Sequence, residues 1–187
     1  VKALLALAYR MEIISVRVGQ VAAWAGIAMM AVILSDVILR RWFVIGSTQL
    51  QELEWHLHGI LFLFCLGFAY ARGEHVRIEL FRDHWSDRTK AMIEFLGGLF
   101  ILLPFAFAII KFGFDYTSLS WAYSERSATG TGLGARWLIK GAMVVGFVLL
   151  VLPVLSGMIR SAVWLVTGDI AARRTMDAIL SDDSNTA

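Results

Sequence analysis

Glu52, Glu54, His56 and His58 stand on alternate residues at the head of an apolar run, and His75 follows its far end. Carboxylates and imidazoles grouped in this way could ligate a metal or hold a haem. The spacing argues against both. His56 and His58 are two residues apart, about 200° around a helix, so they cannot grip one ion from one face. His58 and His75 are separated by 17 residues, roughly 25 Å along a helix, which puts them at opposite ends of it. A bis-histidine haem needs two ligands at one depth on facing helices, and the other apolar stretches hold no histidine. Glu52 with His56, and Glu54 with His58, are i,i+4 pairs and read more simply as hydrogen-bonding partners. No Ser or Thr has a His and an acid placed to activate it, so the chain does not read as an enzyme. The single Cys65 can form neither an intramolecular disulfide nor a CxxC pair. No cofactor and no metal are expected.

The elements that position these residues are apolar and long. From Trp55 to Ala71 the chain is uncharged, with Glu52 and Glu54 ahead of it and Arg72, Glu74, His75, Arg77 and Glu79 behind. Seventeen such residues span roughly 25 Å as a helix, close to the thickness of a bilayer's hydrocarbon core. Over the whole 187 residues the hydrophobic share is 58% and the mean hydropathy +0.69, while the 17% of charged residues falls in blocks. That pattern predicts an all-α integral membrane protein of one domain with four transmembrane helices, at about 18–39, 55–72, 92–111 and 138–159. Residues 1–16, with Lys2, Arg10 and Glu12 among apolar positions, read as an amphipathic N-terminal helix lying in the membrane surface. Val1–Ala8 is too short an apolar run for a cleavable signal peptide, and none is expected. Asp36 and Arg40 stand at i and i+4 in the favourable order for an ion pair. Pro104 is tolerable in the third span if neighbouring groups satisfy the carbonyl it frees, and Pro153 is placed to kink the fourth. Lys140, one turn inside that span, is able to snorkel outward.

Four spans put both termini on one side. Lys2, Arg10 and Arg17, the five basic residues of 72–90 and three in the tail make eleven on that face. The other face has six: Arg40, Arg41, Lys111, Arg126, Arg136 and Lys140. The positive-inside rule then assigns the termini and the 73–91 loop to the cytoplasm, and the aromatic and glycine-spaced loop 112–137 to the outside. The net charge of +2, with no basic run interleaved with aromatics, gives no reason to expect nucleic acid. The centres of all four spans lack Asp, Glu, Lys and Arg. Ion-coupled carriers place ionisable groups at depth, so this chain alone is a poor transport pathway.

Several short blocks recur in a familiar order: ELEWH at Glu52–His56, HVRIE at His75–Glu79, ERS at Glu125–Ser127 and GLGARW at Gly132–Trp137. Across roughly residues 15–165 the chain resembles the small membrane subunit, DctQ-like, of tripartite ATP-independent periplasmic (TRAP) transporters. It departs from that pattern at Gly134-Ala135, where relatives often carry Pro with an aromatic. The resemblance implies a multi-pass subunit of the bacterial inner membrane, paired with a large DctM-like membrane subunit that holds the substrate and sodium sites and moves as an elevator. It implies a periplasmic substrate-binding protein that delivers an organic acid, and a scaffold role for the small subunit.

On that footing the candidate interface and anchor residues are Arg40, Arg41, Glu52, Glu54, Trp55, His75, Arg77, Glu125, Arg126, Trp137 and Lys140. Arg40 and Arg41 end the first span where Glu52 and Glu54 open the second. They are expected to pair with those carboxylates or with the large subunit, or to meet solvated lipid headgroups. His75 and Arg77 are placed to cap carbonyls or bind lipid phosphate. Glu125, Arg126 and the glycine run could contact the binding protein or fold the loop. A membrane-anchored cytochrome or quinone-reactive subunit, and an independent small exporter, stay open as other readings.

Overall fold

The computed structural model describes residues 1–73 and 85–168, and every regular element in that range is a helix. Helix α1 runs Lys2–Trp42, α2 Thr48–Arg72, α3 Asp87–Ala122 and α4 Trp137–Thr167. All four are long and apolar enough to cross a membrane. Their ends follow local chemistry. Ser47 caps α2 by accepting from the Leu50 N–H at 3.3 Å, and Gly73 closes it in the left-handed region that glycine adopts freely. Ser86 caps α3 through the Thr89 N–H at 3.2 Å.

Two segments differ from their sequence reading. The helix expected over residues 1–16 is present but is not separate. It continues unbroken into the first span, and Ala8, Glu12, Ser15 and Val16 are buried against the other helices. The connection read as 112–137 is helical as far as Ala122, so Phe112, Phe114, Tyr116 and Trp121 belong to α3. His75, Arg77, most of the 72–90 loop and the tail from Arg173 lie outside the described residues.

Helix α4 is the hub. Half of its apolar window is buried inside the bundle, against 6–17% for the other three. It packs on α1, α2 and α3, whereas α3 packs mainly on α4. Leu103 and Ala106 of α3 meet Leu150, Val151, Val154 and Met158 of α4 in the core, with Leu66 and Tyr70 of α2 against its edge.

The two prolines are handled differently. Pro153 has no N–H to give the Leu149 carbonyl one turn back. The hydroxyl of Ser15, fully buried on α1, donates to that oxygen at 2.7 Å. Gly67 of α2 closes on the same carbonyl: a Cβ there would lie 2.7 Å from the Leu149 oxygen and 3.2 Å from the Ser15 Cβ. Three helices therefore meet around one freed acceptor, a contact that small residues permit in a membrane. Pro104 is accommodated within α3 itself. A π turn over Gly98–Leu102, in which the Leu103 N–H reaches back to the Gly98 carbonyl, widens the helix just before the proline.

Candidate interface: a loop gathered by Glu52

Glu52 sits on the second turn of α2 and is only 4% exposed. A buried carboxylate needs donors, and the loop between α3 and α4 brings them. The Ser127 hydroxyl donates to one carboxylate oxygen, and the Leu133 backbone N–H donates to the other at 2.6 Å. The Arg136 guanidinium stands at 3.5 Å. Ser127 in turn accepts from the Thr129 N–H at 3.3 Å, and its own N–H donates to the Leu133 carbonyl at 3.2 Å. Gly132 fits because it has no side chain: a Cβ there would run into Ser127 and the Glu52 Oε1. One carboxylate thus holds both flanks of the loop turn.

A second tie lies beside it. Glu125 pairs with Lys140, whose ammonium lies 3.6 Å from the centroid of the Tyr116 ring. Lys140 holds the Glu125 carboxyl below the ordinary carboxylate value of 4.5. The Lys140 side chain is 10% exposed, because Glu125 and Tyr116 close over its ammonium. The Arg136 N–H donates to the Glu125 carbonyl at 3.3 Å, and Trp121 meets Trp137 edge-on with centroids 4.5 Å apart. Arg126, between the two anchored residues Glu125 and Ser127, is exposed and has no partner among the described residues.

Arg40 forms the expected i,i+4 pair with Asp36. The expected pairing of Arg40 or Arg41 with Glu52 is not formed, because the loop already occupies Glu52. Glu54, two residues on and so about 200° around α2, faces the other way. It lines a cleft with Ile33, Asp36, Val37, Arg40 and Arg41. Arg41 and Glu54 form no ion pair among the described residues. His56 meets the Glu52 residue as the spacing suggests, but through the backbone: its Nδ1 lies 2.6 Å from the Glu52 carbonyl oxygen. Trp55 projects outward at the same end.

The sequence reading missed a tie at the opposite end. Glu12 of α1 is buried against α4, where Arg160 pairs with it and the Ser156 hydroxyl donates to it at 3.4 Å. The available signal was an acid and a base beside the apolar stretches of α1 and α4 at the same end of an up-and-down bundle, with Arg10 and Arg17 next to Glu12 as competing partners.

The family model for the DctQ component of the tripartite ATP-independent periplasmic transporters matches residues 29–163, well over half of the chain. The chain belongs to the DctQ family. No curated protein matches it at a significant level. The match takes in Glu52, Ser127, Gly132 and Arg160, so the loop and its carboxylate lie inside the DctQ region. As a DctQ component the chain is a multi-pass inner-membrane part of a transporter and not an enzyme. By family, a DctQ component works with a DctM component and a periplasmic binding protein.

Proposed function

We propose that this DctQ chain is the static small subunit of a sodium-coupled, binding-protein-dependent transporter for an organic acid. On this reading it braces a DctM component that holds the substrate and sodium and moves as an elevator. The observation that carries the proposal is where the polar ties fall. They cluster at the two ends of the bundle, around Glu52 and Glu125 at one and Glu12 at the other. Between them the helices meet through small residues such as Gly67 and Ser15. A brace needs end ties and close packing, and it needs no ion site at depth. The termini and the 73–91 loop face the cytoplasm on the positive-inside count, which turns the Glu52 loop to the periplasm. There Arg126 is held out towards the binding protein. Trp55 and Trp137 sit at the outer interface, Arg41 and Glu54 stand free for the DctM component, and His75 and Arg77 meet lipid headgroups on the inner side.

Proteoliposomes carrying this chain alone should show no solute flux, and those carrying chain, DctM component and binding protein should show sodium-dependent uptake. Flux through the chain alone would end the scaffold reading. Arg126→Glu should lower binding-protein-dependent uptake severalfold while the DctM component still co-purifies.

A further inference from the structure

The cleft between α1 and α2, at the Glu52 end, holds charge that the bundle itself does not satisfy. It has a volume of about 450 Å³ and is lined by Ile33, Asp36, Val37, Arg40 and Arg41 of α1 and Glu54 of α2. The α1 residues lie on one face, at i, i+3, i+4, i+7 and i+8. Asp36 is only 5% exposed. Arg40 pairs with one of its oxygens, while the other, Oδ1, is buried without a hydrogen-bond partner among the described residues. A buried acceptor left in that state is costly. Arg41 and Glu54, on opposite walls, do not pair with each other.

The order of these groups along the bundle is that of an amphiphile. Arg41 and Glu54 adjoin Trp42 and Trp55, both exposed, and tryptophan side chains settle at the headgroups. Val37 and Ile33 lie one and two turns deeper than Arg41. Both are open to the membrane, at 52% and 39% exposure. Cations and carboxylates therefore share the rim of the cleft, above an apolar strip.

We propose that this cleft binds a phospholipid whose headgroup ends in a primary ammonium, as in phosphatidylethanolamine. Its phosphate meets Arg41, its ammonium enters between Glu54 and Asp36, and an acyl chain runs over Val37 and Ile33. The choice of headgroup follows from the two signs of charge. An anionic lipid answers Arg41 and sets a like charge against Glu54. A choline headgroup carries both charges but has no N–H to give a carboxylate, whereas an ammonium is all donors. A second copy of this chain would set cleft against cleft and leave both unfilled. A transmembrane helix, about 10 Å wide with its side chains, covers such a cleft without entering it. A guanidinium has more N–H donors than one phosphate takes, so Arg41 keeps donors for a DctM component. The proposal rests on α1 and α2 crossing the membrane and does not need the scaffold reading.

The test takes the full chain, freed of native lipid in detergent, and titrates it with lipids of identical acyl chains by native mass spectrometry. Phosphatidylethanolamine should bind about tenfold more tightly than phosphatidylglycerol or phosphatidylcholine. Free phosphoethanolamine, with the same charges and no chain, should bind far more weakly than the lipid. Arg41→Gln should lose the tight binding, and Glu54→Gln should lose the preference over phosphatidylglycerol. Lys111→Gln, which removes another exposed cation, should change neither. Thermal unfolding of all three variants should match the wild type, so that lost binding is not lost fold. Equal binding of the three lipids, or a preference that survives Glu54→Gln, would mean an ordinary lipid coat and overturn the proposal. Phosphoethanolamine binding as tightly as the lipid would give the cleft to a soluble ligand instead. A lipid-free dimer that Arg41→Gln dissociates would give it to a second copy. Absence of any lipid preference, with the DctM component lost from the Arg41→Gln and Glu54→Gln variants, would give it to that component. Each of these three results would overturn the lipid assignment and leave the scaffold reading standing.

Discussion

Glu52 and Glu125 show how much of a loop's order can rest on single carboxylates. Glu52→Gln keeps the shape but replaces an anion that accepts from Ser127, Leu133 and Arg136 with a neutral amide. The loop over 123–136 should open, read as faster amide exchange at Leu133 and a lower unfolding temperature. Gly132→Ala should do the same by displacing Ser127. Glu125 supplies a pH dependence. Its carboxyl is held below 4.5 in the fold by Lys140, so the unfolded chain binds the proton more readily. The contribution of Glu125 to stability is then fully present above the unfolded-state pKa and is lost as pH falls through the lower, folded one. Unfolding temperatures of the wild type and Glu125→Gln, measured from neutral pH downward, should differ at neutrality and converge in acid. Glu52 was legible from its place at the head of an apolar run, and Glu125 from the ERS block in the loop read as 112–137. Their partners were not, because Ser127, Leu133 and Lys140 become neighbours only once α2 and α4 lie side by side. The pairing of Arg41 with Glu52 was a reasonable expectation from proximity in sequence, and it fails because a closer set of donors arrives from the far end of the chain.

At the scale of helices, four apolar stretches were plain from the charge blocks, and the bends in them were only partly so. Pro153 announces a freed carbonyl, but nothing in the local sequence says that Ser15, far away in the chain, will answer it. The pair can be tested as a unit. Ser15→Ala leaves the Leu149 carbonyl without its donor and should cost about 1 kcal/mol. In a Pro153→Ala background the restored N–H at residue 153 can take that carbonyl, and the same Ser15→Ala change should cost less. A double-mutant cycle read by denaturant unfolding in micelles measures the difference; equal costs in both backgrounds would mean that the hydroxyl is not serving the proline. Residues 1–16 teach a related lesson. Their mixed polarity suits a surface helix, and so does a helix whose one buried carboxylate has a partner elsewhere. Only the position of Arg160 on α4 tells the two apart.

For the molecule as a whole, Glu12 and Arg160 tie its first helix to its last. Both side chains are largely buried, and removing one partner of such a pair leaves a charge uncompensated. Glu12→Ala should therefore destabilise the bundle by about 3 kcal/mol. The loss should appear as a lower denaturant midpoint and as proteolysis spreading to the turns of α1 before Gly19, while the Glu52 loop at the other end stays protected. The order in which the chain is made gives the central place of α4 a further meaning. A ribosome releases α1, α2 and α3 into the bilayer before their shared neighbour exists. Until Trp137–Thr167 emerges, Glu12 has no counter-charge, Ser15 has no acceptor to serve, and α3 has little to lean on. A nascent chain that stops short of its fourth helix thus holds an α1–α2 pair whose buried acid is unanswered, beside a third helix with almost nothing to pack on.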